Sequence, residues 1–267
     1  MKQSLEKTSA WLILGSLSLL PLSSNASIIA TESFDYADGN NNLASVGTGG
    51  TGWSAGWTTD GTSFDVVDGA AFTGEYDTFR NSRTLTSAQS TGTLYIAWTG
   101  VKQRTVDEVG TQVLALSGMS GTTEEFSLQF RTDYADVDSE YFLLYGGSDR
   151  SDSASATDGP YTEGTEVTFV LEIVFDDSGN EAINAWAFSG GLPTILGSAS
   201  LTQSAPITSI DSILIQSNGK SMTGYFDNIV IATEYSDILS VIPEPSTYAV
   251  LFGIATLTLA FIRRRRA

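Results

Sequence analysis

The residues this chain lacks restrict its chemistry more than those it has. Its 267 residues include no histidine and no cysteine. Imidazole bases, zinc sites of the usual histidine type and thiol nucleophiles are therefore out of reach, and with them Ser-His-Asp and Cys-His catalysis. Any reaction would have to rest on carboxylates, tyrosine, lysine or arginine. Glycoside hydrolysis is one such reaction, since it needs two carboxylates flanking a bond. A strand reading Glu-x-Asp-x-x-Glu would supply them. The window that comes nearest, Glu172-Ile173-Val174-Phe175-Asp176, puts Glu172 and Asp176 on one face, but position 174 is Val and position 177 is Asp. No other window matches, so no catalytic residue is assigned and the chain is read as a non-enzyme.

Two other groupings could bind rather than react. Asp133, Asp136, Asp138 and Glu140 crowd eight residues, and Asp152, Asp158 and Glu163 follow in the next polar stretch. Such hard oxygen donors suit Ca²⁺, the only cofactor these residues suggest. The spacing is not that of an EF-hand loop, because the sixth-position Gly and twelfth-position Glu are missing. The competing reading is a solvated acidic loop. Trp53 and Trp57 flank a Ser-Ala-Gly turn. If exposed, they could stack on sugar rings; if buried, as large aromatics usually are, they would pin a glycine-rich loop over the edge of the fold.

Strands must position these residues. Leu94, Ile96 and Trp98 alternate with Tyr95, Ala97 and Thr99; Phe126, Leu128 and Phe130 alternate with Ser127 and Gln129. In 139–145, Tyr141, Leu143 and Tyr145 share one face. The clearest hairpin joins 165–175 to 181–189 through Asp176-Asp177-Ser178-Gly179-Asn180. Val167, Phe169, Leu171, Ile173 and Phe175 share a face by period two, and the turn offers Asx chemistry and a glycine for positive φ. Further strands are expected over 210–216 and 224–232. Ten to thirteen strands with almost no helix predict an all-β fold, two packed antiparallel sheets in one domain.

The ends have different work. Lys2 and Lys7, an apolar run from Ala10 to Leu22 and the small-residue exit Ser24-Asn25-Ala26 make a secretory signal peptide over 1–26. At the other end, Pro243-Glu244-Pro245 precedes an uncharged apolar segment and then Arg263, Arg264, Arg265 and Arg266. A transmembrane helix is expected over 246–262, with the arginines held on the cytoplasmic side. Without these end pieces the body carries seven basic and twenty-nine acidic residues, a difference of −22. That balance argues against nucleic acid as a partner.

The tail resembles the PEP-CTERM sorting signal in all three parts and in their order. The resemblance implies an exosortase as partner, processing at or near Pro243-Glu244-Pro245, and a precursor anchored in the inner membrane on its way to the cell envelope or extracellular matrix. Within the body, Glu32-Ser33-Phe34-Asp35-Tyr36, the stretch from Gly52 to Trp57 and the closing Tyr225-Phe226-Asp227-Asn228-Ile229 resemble LamG-like, concanavalin A-like jelly-roll domains. The organisation expected is a signal peptide (1–26), a β-sandwich (27–240) and a sorting signal (241–267). The function expected is a non-enzymatic module associated with exopolysaccharide. The alternatives are a carboxylate-dependent polysaccharide-active enzyme and a surface protein without ligand.

Overall fold

Apolar residues at every second position give a sheet one dry face, and two such sheets meet dry face to dry face. The computed structural model has this arrangement. It describes residues 28–39, 42–74, 77–104, 112–132, 140–147, 152–156, 164–176, 179–218 and 222–242. The expected signal peptide (1–26), the Pro243-Glu244-Pro245 motif, the apolar tail segment and its arginines lie outside the described residues. So do Asp133, Asp136 and Asp138; Glu140 is placed on a strand, without a described side chain. Among the described residues no helix is long and apolar enough to cross a membrane.

Fifteen strands are described. One sheet contains β1 (Ile28–Glu32), β3 (Asp65–Val67), β4 (Ala70–Thr73), β6 (Gly92–Arg104), β11 (Val167–Phe175), β12 (Glu181–Phe188), β13 (Leu201–Ala205) and β15 (Met222–Ala232). Its order is β13-β12-β11-β6-β15-β4-β3, and β1 also pairs with β15. The other contains β2 (Thr58–Thr59), β5 (Thr78–Gln89), β7 (Gln112–Ser120), β8 (Thr123–Thr132), β9 (Glu140–Gly146), β10 (Asp152–Ala156) and β14 (Ile210–Asn218), in the order β10-β9-β8-β7-β14-β5-β2. All pairings between these strands are antiparallel. The body is thus an all-β, two-sheet jelly-roll sandwich.

The expected faces hold. Val167, Phe169, Leu171, Ile173 and Phe175 all point into the main core, as do Leu94, Ile96 and Trp98, and Phe126, Leu128 and Phe130. Trp98 lies at its centre, stacked on Phe169 at 4.3 Å between ring centroids, with Phe226 at 5.0 Å. Burial of each such ring stabilises the fold by about 1.5–3 kcal/mol. The return strand of the hairpin divides as its alternation predicts: Ile183 and Ala185 face the core, Trp186 and Phe188 the opposite side.

That opposite side is covered too. Helix α2 (Tyr235–Val241) lies over the outer face of the eight-stranded sheet. Ile238 and Ile242 are buried there with Val170, Trp186, Leu192 and Val230. A second helix, α1 (Leu43–Val46), is a single turn that buries Leu43.

Candidate functional site

The buried charges come first, because they decide what the two tryptophans do. Glu32 ends β1 and is 2% exposed. The next turn needs Phe34 at φ +55, a left-handed position rare for a bulky residue. Glu32 holds that turn in place by accepting the Phe34 N–H at 2.8 Å. Its other oxygen accepts from the Tyr36 hydroxyl (2.8 Å), from Trp57 Nε1 (3.0 Å) and from Arg83 Nη1. Arg83, on β5, donates Nε–H to the Ala55 carbonyl at 2.9 Å and Nη2–H to the Gly49 carbonyl at 2.6 Å. Its guanidinium lies 5.0 Å from the ring centroid of Trp53 and 5.8 Å from that of Trp57. Burial, reinforced by the Glu32 hydrogen bond and charge, pushes the Tyr36 hydroxyl up to about 12, so it stays a donor.

Trp57 is therefore a core residue, 2% exposed and stacked on Phe34 at 5.7 Å. It offers no open face to a sugar ring. Trp53 is half-buried, and its Nε1 is bound to the Thr31 carbonyl at 2.8 Å. The glycine-rich loop leading into them passes so close to β1 that a Cβ on Gly52 would stand 1.8 Å from the Ile29 carbonyl oxygen. This constellation pins a loop and leaves no reacting group free. Sequence reading had named the tryptophans without their partners Glu32 and Arg83.

The outer face of the seven-stranded sheet is different. On β5, β14, β7 and β8 the inward residues are those of the core, and the alternate residues face away in register. One row is Ser82, Leu214, Ser117, Ser127 and Tyr145. The next is Arg80, Gln216, Ala115, Gln129 and Leu143; the third is Thr78, Asn218, Val113 and Arg131. None of these fourteen positions holds a carboxylate. Ser117 and Ser127 are fully buried and Gln129 is 3% exposed. Ser117 donates to Ser127 at 2.9 Å, and Gln129 Nε2 donates to the same Ser127 oxygen at 3.3 Å. Arg131 Nη1 donates to the Tyr145 hydroxyl at 3.1 Å. Where β2 flanks β5, a depression of about 240 Å³ opens between Asp60, Arg80, Met119 and Leu214. This face is a polar lane across five strands, floored by small residues and bordered by half-buried Arg80, Gln216, Arg131 and Tyr145.

The acid singled out in the hairpin lies on the other side of the molecule. Glu172 accepts from the Tyr95 hydroxyl at 2.6 Å and from Asn184 Nδ2 at 2.8 Å. Tyr95 is held well above the usual phenol range by burial first, then by the Glu172 hydrogen bond and charge. A depression of about 410 Å³ opens beside them, walled by Trp186, Tyr235 and the exposed Ile195. Glu172 is the one carboxylate among its described lining residues. Asp227 sits at a bulge of β15, where Asn228 takes φ +50. Both its carboxylate oxygens bond Asn228, through the backbone N–H and the side-chain amide, each at 2.7 Å. It anchors the strand break. Among the described residues no group of three or more acids is placed to hold a metal ion.

No protein-family model matches the sequence, and no curated protein matches it. Solved structures with a similar arrangement include the alginate lyase Aly36B (14% identity, TM-score 0.49, covering 78% of this chain and 97% of that one). The carbohydrate recognition domain of Emp46p in its metal-free form is another (10%, TM-score 0.46, 66% and 88%). The globular domain of calreticulin from T. cruzi is a third (11%, TM-score 0.47, 89% and 99%). These likenesses reach no further than the general shape of a β-sandwich.

Proposed function

We propose that this chain is a non-enzymatic, exported β-sandwich module that associates with extracellular polysaccharide along the outer face of the seven-stranded sheet. The observation that carries this reading is the set of half-buried side chains Arg80, Gln216, Arg131 and Tyr145, held in register across neighbouring strands around buried Ser117, Ser127 and Gln129. A linear glycan presents hydroxyls at regular intervals and sugar faces between them. The Gln216 amide and the Arg80 and Arg131 guanidinium groups can meet the hydroxyls, and the half-buried Tyr145 ring can meet a face. The groups are held by the sheet, so little ordering cost remains to be met on binding. The signal peptide and the tail that resembles PEP-CTERM supply export and envelope sorting, with an exosortase as partner and an inner-membrane precursor as intermediate.

The test is affinity electrophoresis of the purified full chain through gels cast with a panel of polysaccharides, with product analysis for new chain ends. Retardation by at least one polymer without cleavage is expected. Gln216→Ala with Tyr145→Ala should weaken that retardation about tenfold, the loss of one or two hydrogen bonds and a stacking face. No retardation by any polymer, or cleavage of one, defeats the proposal.

A further inference from the structure

Resting on the polysaccharide reading, we propose that the lane is built for an acidic polysaccharide, a polyuronate, whose carboxylates are taken by Arg131 and Arg80. The body's few cations are unevenly placed. Four basic side chains of the sandwich are described. Arg83 is buried against Glu32, and Lys102 is buried with its ammonium 5.0 Å from the Phe130 ring centroid. The other two, Arg80 and Arg131, are both on the outer face of the seven-stranded sheet.

Their Nε atoms share an unusual state. Among the described residues three buried side-chain polar atoms have no hydrogen-bond partner: Arg80 Nε, Arg131 Nε and Trp98 Nε1. Trp98 is in the core; the two arginines are on this one face. An unmet buried donor costs about 1–3 kcal/mol, more on a charged group, so two on one face point to an acceptor that belongs there. Arg80 Nε lies 3.2 Å from Asp60 Oδ1, too oblique for a hydrogen bond, and Asp60 is well exposed. Such a pair is worth about 0–1 kcal/mol and exchanges readily. Arg131 spends one Nη–H on Tyr145 and keeps its Nε edge, the edge a planar carboxylate meets side-on. Arg80 and Gln129 share a row, with β14 and β7 between them, so the two arginines are separated by about 14 Å across the strands. That distance suits two charges a few sugars apart on one chain rather than one small anion.

The body's difference of −22 charges argues the other way only at long range. At physiological salt, charges more than about 8 Å apart are largely screened. The sign felt by a sugar lying there is set by what is near it: among the described residues of the rows themselves there are two arginines, and the Asp60 carboxylate at the β2 edge is paired with Arg80.

A matched pair of polymers tests this: polygalacturonate and its fully methyl-esterified form, with a neutral glucan alongside, titrated against the purified full chain at 50 and 200 mM salt. Polygalacturonate should bind at least tenfold tighter than the ester and weaken as salt rises. Arg131→Gln and Arg80→Gln should each cost about tenfold in polygalacturonate affinity with the melting temperature held. Equal affinity for polymer and ester, or binding of the neutral glucan alone, overturns the acidic preference while leaving the polysaccharide reading intact. Polygalacturonate binding that both variants retain overturns the assignment to these arginines. Failure of all three polymers to bind defeats this inference and counts against the polysaccharide reading as well.

Discussion

Glu32 and Arg83 form an ion pair with both partners out of water. Desolvating two charges costs several kcal/mol each, and the pair persists because every nearby donor and acceptor is used. Removing one partner strands the other. Glu32→Gln and Arg83→Met should therefore each destabilise the fold by about 3–5 kcal/mol. Urea unfolding reads this, and a loss under 1 kcal/mol would show that the pair is dispensable. Asp227 makes the opposite prediction. Burial first, then repulsion from Glu166, Asp35 and Glu32, raises its carboxyl from 3.8 to about 6 against the lowering effect of the Asn228 N–H. The folded state holds this proton more tightly than the unfolded state, so its contribution to stability is full below about pH 4 and is lost as pH rises through 6. Asp227→Asn should stabilise the protein at pH 7.5 by up to about 2 kcal/mol after solvent screening, and by nothing at pH 3.5. Unfolding midpoints of the variant and wild type at the two pH values decide it; a pH-independent difference would refute the linkage.

Among the elements, α2 turns a half-wet sheet into a buried one. Its turns place Ile238 on the outer face of the eight-stranded sheet, in one buried cluster with Ala97, Val170, Trp186, Leu192 and Val230. Ile238→Ala should cost about 2–5 kcal/mol as a cavity in that second core. Thermal unfolding measures it, and an unchanged melting temperature would mean that the helix merely rests there. The strands differ in how readable they were. β11 shows itself because all its inward residues are apolar and its partners lie in the adjoining hairpin. β5 was missed because its inward positions include Asn81 and Arg83, whose polar atoms are met by Ser63, Thr58, Ala55 and Glu32 only after folding. β7 was missed because its outward positions, Ala115 and Ser117, are small and neutral, so the alternation has little contrast.

At the scale of the whole molecule, a sandwich with this much core needs no disulfide, and the chain has none to offer. On the proposed sorting reading, the tail acts on the whole molecule. Four consecutive arginines are costly to translocate, so they set the orientation of any span that precedes them. Replacing Arg263–Arg266 with neutral residues is expected to weaken membrane retention of the precursor, read by fractionation of membranes from medium. A variant that fractionates like wild type would remove the basis for the sorting assignment.

Period-two alternation alone carried the fold class, the hairpin and the core faces of β6, β8, β11 and β12, because a strand's face is decided by its nearest neighbours in the chain. The absence of histidine and cysteine likewise settled which catalytic chemistries are out of reach. The site was not legible in that way. Trp53 and Trp57 look like a pair in sequence, yet only packing shows that Trp57 is inside and that Glu32 and Arg83, fifty-one residues apart, hold it there. The lane joins Arg80, Gln129, Arg131, Tyr145 and Gln216 from four strands. No local pattern links them, because strand order β9-β8-β7-β14-β5 brings distant segments into register. Charge behaves likewise: a sequence yields its sum, whereas a ligand feels only what lies within a screening length of it, and the tertiary fold decides which charges those are.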